Sequence, residues 1–183
     1  MSQPRPAPPV LLVIGLLRDP ELPLEPVAEA IGAAFGPIAD LSAPLAFEHT
    51  AYYEPEMGPG LLRQFAALAE LVDPGRLADI KWQTNEIESK FSREDGRRRI
   101  NLDPGLLGFA NLVLATGKGY THRPYLGNGI YADLTLIWQH GAWVELPWTY
   151  PDYRSEPVKA ILTGYREFYR EKAGPARSRE AET

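Results

Sequence analysis

Two hydrophobic periods alternate along the chain, and each change of period marks an element. Val10-Leu-Leu-Val-Ile-Gly-Leu-Leu17 is an unbroken apolar run between Pro9 and the Arg18-Asp19-Pro20 turn, as expected of a strand buried on both faces. Leu24, Val27, Ala28, Ile31 and Phe35 recur at helical spacing and stop at Gly36-Pro37, which predicts a helix with a proper end. A second strand is predicted within Ile38–Phe47, held to an edge or broken by Pro44. Tyr52–Gly60 holds two prolines and two glycines and reads as a loop. In Leu61–Val72, the positions of Leu61, Phe65, Leu68 and Val72 suit a helix, while the same stretch also suits a short strand.

Asp73-Pro74 supplies an N-cap followed by proline at the first helical position. Leu77, Ile80, Thr84, Ile87 and Phe91 then form one buried stripe. Arg97–Leu102 alternates like a strand, with Ile100 and Leu102 on one face and Arg99 and Asn101 on the other. Asp103-Pro104-Gly105 is predicted to end that strand and open a helix through Ala115. Thr121–Tyr150 reads as a three-stranded meander turning at Asn128-Gly129 and His140-Gly141. Ser155-Glu-Pro is placed as the cap of a final helix carrying Val158, Ile161, Leu162, Tyr165, Phe168 and Tyr169 on its apolar side.

This order predicts an α+β fold: a mostly antiparallel sheet, helices packed mainly on one face, a βαβ-like opening and a meander. The opening unit is similar to ferredoxin-like folds by analogy of topology. Residues 1–9 are expected to form a flexible proline-rich arm, 10–172 one domain and 173–183 a disordered tail.

Composition narrows the functions. The chain has no cysteine, so disulfides, thiolate nucleophiles, Cys-ligated zinc and iron–sulfur clusters are excluded. Net charge is −5, from 24 acidic and 19 basic residues, which argues against a broad nucleic-acid footprint or an anionic membrane surface. The longest apolar run falls far short of the ~20 residues of a membrane span, and residues 1–9 lack the apolar core of a signal peptide. A cytoplasmic location is the expectation by elimination. The residues name no cofactor and no oligomeric state.

The meander carries the sharpest candidate chemistry. A two-residue turn at Asn128-Gly129 makes Gly127 pair with Ile130, so that Leu126 faces Tyr131, Pro124 faces Asp133 and His122 faces Thr135. His122, Asp133, Tyr131 and Thr135 then share a polar face, with His122 diagonal to Asp133 at ~7–8 Å between Cα atoms. Ile130, Ala132, Leu134, Leu136 and Trp138 are assigned to the core face. A carboxylate beside a histidine orients it for acid–base work, and the same pattern also suits a solvated face with an incidental pair. Arg97, Arg98 and Arg99, with Lys118 and Arg123, form a cationic set. Arginine forks suit anionic groups, or such a set guards an edge strand. Arg99 and Asn101 would extend the face holding His122.

Other clusters are weaker. Glu48, His49, Glu54 and Glu56 lack the paired spacing that fixes a metal, so no metal site is assigned. Asn85 and Glu88 face the same way on one helix, with Thr84 on its buried stripe. Trp148-Thr-Tyr-Pro-Asp-Tyr-Arg154 is either a plug at one end of the core or an aromatic wall for stacking a ring. No G-x-S-x-G elbow and no dinucleotide fingerprint occurs.

Several stretches together resemble one family: Thr84-Asn85-x-x-Glu88, Arg97-Arg-Arg-x-Asn101-x-Asp103-Pro-Gly105, Leu112-Val-Leu-Ala-Thr116-x-Lys118, His122-Arg123-x-Tyr-Leu-Gly127-x-Gly-Ile-Tyr131-Ala and Trp148-Thr-Tyr-Pro-Asp-Tyr-Arg-Ser155. From about Val10 to Ser155 the chain is similar to the bacterial domain-of-unknown-function 4416 family. Members are often labelled GTP-binding proteins, but the residues do not supply that chemistry. A P-loop needs G-x-x-x-x-G-K-[ST]. Here Leu112 stands where the first glycine belongs, and Gly119 follows Lys118 in place of the hydroxyl residue. The leading expectation is a binding protein or small enzyme for an anionic small molecule, a nucleotide among the candidates. It would use His122 and Asp133 as catalytic residues and Arg99, Asn101, Lys118, Arg123, Tyr131 and Thr135 to bind. The alternative is a non-catalytic interaction or scaffold module.

Overall fold

A computed structural model describes residues 3–174. The expected tail lies outside the described residues except for Ala173 and Gly174, as does the very start of the expected arm. The chain runs β1 (Val10–Arg18), α1 (Leu24–Phe35), β2 (Ile38–Leu41), β3 (Leu45–Ala46), α2 (Glu54–Met57) and β4 (Leu62–Val72). It continues with α3 (Leu77–Lys90), β5 (Ile100–Leu107), β6 (Asn111–Thr116), β7 (Tyr125–Gly127), β8 (Ile130–Gln139), β9 (Ala142–Glu145) and α4 (Glu156–Ala173). The strands form one sheet of order β2-β4-β1-β5-β6-β8-β7, with β3 on β4 and β9 on β8. Among the described residues no helix is long and apolar enough to cross a membrane.

Every strand pairing among the described residues is antiparallel. Two antiparallel steps make β1 parallel to β2 with β4 between them, and make β4 parallel to β5 with β1 between. The first two-thirds of the fold is therefore a pair of interlocked split βαβ units, the ferredoxin-like arrangement. Leu12, Ile14 and Leu16 of β1 meet Val27 and Ile31 of α1 and Ile80 and Ile87 of α3 on one face. Leu11, Val13 and Phe65 meet Val158, Leu162, Tyr165 and Tyr169 of α4 on the other. Helices thus cover both faces, α1 and α3 on one, α4 and the short α2 on the second.

Burial on both faces explains the two places where periodicity misled. In β4, residues 63–68 are all buried, so the strand loses its alternation and Leu61, Phe65, Leu68 and Val72 mimic a helix. The predicted helix from Asp103 to Ala115 is instead the β5–β6 hairpin, whose turn is closed by Gly108 N–H donating to the Asn111 carbonyl. Pro104 is tolerated because β6 pairs β5 only over Gly105–Leu107, leaving Ile100–Pro104 an edge on that side. Gly105 admits Leu114, whose Cδ2 would lie 2.6 Å from any Cβ there. Pro44 both breaks and confines its strand, giving β2 and β3 at the sheet edge. The Tyr52–Gly60 loop contains the one-turn α2. Ser155 sits at the start of α4, but its hydroxyl donates to the Asp152 carbonyl instead of capping the helix.

The hairpins join β7, β8 and β9 as expected, with Asn128 and His140 at positive φ. Their register departs from the simple count twice. A bulge at Leu126 sets Tyr125, not Leu126, opposite Tyr131. A second bulge leaves Thr135 as the extra residue between Leu134 and Leu136. It moves Leu136 to the α4 face, whereas Ile130 packs with Leu77 and Ala78 of α3, so the assigned single core face does not exist. Pro124 does not face Asp133. His122 lies in the turn before β7 and pairs with no strand residue.

Candidate functional site

The sheet forks between β5 and β6. β5 residues 100–104 pair with β1 alone, while Ala115 and Thr116 at the far end of β6 pair with β8 alone. At the fork β5 still has an unpaired edge, and α3 closes it with polar side chains. Lys81 Nζ donates to the Leu102 carbonyl at 2.7 Å, and Glu88 Oε1 accepts the Leu102 N–H at 2.7 Å. Thr84 is fully buried and donates back to the Lys81 carbonyl, as a hydroxyl on a buried stripe should. Burial pushes the Glu88 carboxyl above its ordinary range, against the pull of Lys81 and the Leu102 amide.

On the opposite face the polar residues continue past the start of α4. Asn101, Asp103, Gly15, Leu17, Arg63 and Phe65 stand side by side through the β4–β1–β5 register. Arg63 donates to Asp152 through Nε at 2.8 Å and to Asp103 through Nη1 at 3.3 Å. Arg98 joins Glu56 through two bonds of 2.7 Å and reaches Asn101 at 2.9 Å. Gly15 leaves the space in which Tyr153 lies, since a Cβ would stand 2.8 Å from its hydroxyl. That hydroxyl is buried and has no hydrogen-bond partner among the described residues.

Asp133 holds the next group together. Its Oδ2 accepts from Arg123 Nε at 2.7 Å and lies 3.4 Å from His122 Nε2. Its Oδ1 is buried with no partner among the described residues. The expected juxtaposition of His122 and Asp133 therefore exists, but the Tyr120–Arg123 turn, closed by Arg123 N–H on the Tyr120 carbonyl, delivers it instead of strand pairing. Trp148 stacks on the His122 ring at 4.5 Å and 12°, and its indole N–H donates to the Leu134 carbonyl. Thr149 donates to the Thr135 carbonyl. These bonds seal the edge of β8 between β7 and β9, so the Trp148–Arg154 segment is a plug that also presents an aromatic ring to the histidine.

The remaining predicted residues divide. Tyr131 lies two residues from Asp133 on the same face and tilts against Tyr125 at 5.1 Å. Thr135 is buried in the bulge and donates to the Asp133 carbonyl. Asn101 belongs to the Arg98–Asp103 group. Arg99 is not in the sheet face, because β5 begins only at Ile100, and it joins Arg93 in binding Asp19. Of the five cations read as an anion site, Arg97 is matched to Asp95, Arg98 to Glu56, Arg99 to Asp19 and Arg123 to Asp133. Lys118 is the exception: its ammonium donates to no carboxylate among the described residues, but donates to the Tyr52 hydroxyl at 3.0 Å and lies 4.9 Å from that ring. The acidic cluster disperses too, with Glu56 spent on Arg98, and no group of ligands fit to hold a metal occurs among the described residues. Gly117-Lys118 leads from β6 into a turn and β7, with no helix to follow. Arg63 and Lys81 carry no signal in the sequence beyond their charge. Asp103 and Asp152 stand in the quoted motifs, but a local pairing of Asp152 with Arg154, the expectation there, gives way to the Arg63 ion pair.

Arg123 Nη2 donates to the Tyr150 hydroxyl at 2.7 Å, which places Tyr150 between the two acidic groups. Burial, helped by Asp133, pushes this phenol up to about 12. Burial and Asp103 do the same to Tyr53. A phenol raised in the folded state stabilises fully below its unfolded value near 10, and that stabilisation is lost as pH climbs through 12. Folding stability is therefore expected to fall across pH 10–12. Tyr53→Phe, which loses no hydrogen bond among the described residues, should flatten that fall while leaving neutral-pH stability unchanged. Urea titrations at neutral and alkaline pH check it, and an unchanged alkaline slope in the variant would contradict it.

Comparison with curated proteins and with solved structures finds no match in either set. One family model, Domain of unknown function (DUF4416), matches residues 8–169. That is most of the chain, and the protein belongs to this family.

Proposed function

We propose that the protein binds a small, ring-bearing anion, with nucleotides the leading class, at the rim formed by Lys118, Tyr52, Tyr120, His122 and Trp148. The observation that carries this reading is Lys118. It is the one cation of the predicted set without a carboxylate among the described residues, and it stands beside the exposed ring of Tyr52, two residues before the equally exposed Tyr120. Tyr120 in turn meets His122 edge-on at 5.4 Å. A phosphate or carboxylate neutralises the ammonium while the ring stacks on an aromatic neighbour. His122, oriented by Asp133, is the group that exchanges a proton with such a ligand. Beneath the rim, the buried Asp133 Oδ1, without a partner among the described residues, is the kind of cost that folded proteins retain where a site is needed.

Thermal-shift and calorimetric titrations with nucleotides and phosphorylated sugars test this. A ligand at ~100 times its dissociation constant adds about 2.7 kcal/mol. Lys118→Ala, at an exposed position, is expected to abolish the shift without lowering the melting temperature of the free protein. GTP with magnesium should bind no more tightly than other purine nucleotides. If no anion stabilises the wild type, the interaction-module reading takes over. It is favoured by the exposed rings of Tyr120 and Tyr125, which a protein partner would cover.

A further inference from the structure

The outer edge of the sheet and α4 bound a groove that neither reading above uses. β2 ends the strand order, and β3 continues the same edge beside β4. The outward N–H and C=O groups of this edge therefore have no strand partner among the described residues. Two cavities lie along it, both between the edge and α4. The larger, 550 Å³, is lined by Ala39, Ala43, Ala160, Ile161, Gly164 and Phe168. The smaller, 270 Å³, lies at the β3 end among Ala46, Phe47, Glu48, Asp152 and Val158. An open strand edge facing a helix, with side-chain pockets between them, is the geometry that accepts an added strand.

Charge selects the occupant. Asp40 lines the larger cavity and Glu48 and Asp152 the smaller. Arg63 also borders the smaller one, but its guanidinium is shared between Asp103 and Asp152. The groove therefore keeps an excess of negative charge. Small residues along its apolar length leave room for medium-sized side chains, and at Gly164 an added Cβ would meet nothing within 4 Å. We propose that this groove docks an extended basic segment of a partner protein by strand addition to β2 and β3. Its apolar side chains would point toward α4 and a lysine or arginine would lie near Glu48. An antiparallel segment, the more stable pairing, brings that basic residue to its amino-terminal end.

The probe is a labelled, acetylated and amidated peptide of alternating valine and threonine with lysine at its amino end, titrated by fluorescence polarisation against the full chain. Saturable binding is expected. Replacing lysine by glutamate should weaken it at least about tenfold, and N-methylation of the edge-facing amides should abolish it. Gly164→Trp, which fills the groove, should abolish it with an unchanged melting temperature. Glu48→Lys should invert the preference between the two peptides. Equal binding of the lysine and glutamate peptides overturns the proposal, and so does the absence of saturable binding by any of them. Self-association of the chain that Gly164→Trp abolishes would assign the groove to a second copy and overturn it equally. Lys118→Ala should leave peptide binding unchanged, which separates this test from that of the anion site.

Discussion

Arg63→Met is expected to cost about 3–5 kcal/mol of folding stability, because it leaves two carboxylates in the protein interior without their counter-charge. Arg63 and Asp152 side chains are 7% and 6% exposed, and Asp103 completes the group. Three rings, Phe47, Phe65 and Tyr153, lie within 5.4–5.8 Å of the guanidinium, so methionine matches its volume but not its charge. Urea denaturation monitored by tryptophan fluorescence gives the value. Arg63→Lys should recover only part of the loss, since an ammonium cannot bond Asp103 and Asp152 through a planar fork. Arg97→Ala supplies the contrast: the Arg97–Asp95 pair is about half exposed on both sides, and its loss should leave stability nearly unchanged. A loss under 1 kcal/mol for Arg63→Met would mean that the acidic groups relax into solvent, and the network would then be peripheral to the fold.

The parts of this architecture legible in the sequence are the helices with one buried face and the one strand isolated between turn signals. The α1, α3 and α4 stripes were readable because each helix meets the sheet along a single side. β1 was readable because an apolar run between turn signals has few other uses. β4 and the β5–β6 hairpin were not, since strands covered on both faces carry no period-2 signal. At Asp103-Pro104-Gly105 the local helix-start signal outweighed an edge that only long-range pairing reveals. The site was half legible. His122 and Asp133 do meet, yet the parity argument that joined them fails at Leu126 and Thr135, where bulges insert one residue each. A turn brought His122 to the place that register was supposed to provide. The arginines show the converse: residue type and clustering suggested an anion site, whereas their partners Asp19, Glu56 and Asp133 lie up to 80 residues away in sequence. Pairing over such distances has no local signature, so a basic run read alone exaggerates the free positive charge.

Asp133→Ala and His122→Ala are expected to separate the scaffold of the site from its working group. Asp133 is 1% exposed and takes the Arg123 guanidinium at 2.7 Å, with Arg123 only 12% exposed. Removing the carboxylate strands that charge and breaks the tie between the Tyr120–Arg123 turn and β8, a loss of about 2–3 kcal/mol for a hydrogen bond to a charged partner. His122 contributes a longer 3.4 Å contact and its stack on Trp148, so His122→Ala should cost only about 1 kcal/mol. Asp133→Asn keeps the shape and removes the charge, and should fall between the two. If His122 serves only to pack, its variant will bind the nucleotide like the wild type at every pH. If it exchanges a proton with the ligand, the wild-type affinity will change with pH and the His122→Ala affinity will not. Calorimetry of both proteins at several pH values reads this directly. A destabilisation by His122→Ala as large as that of Asp133→Ala, with no difference in pH dependence, would make the pair part of the scaffold alone.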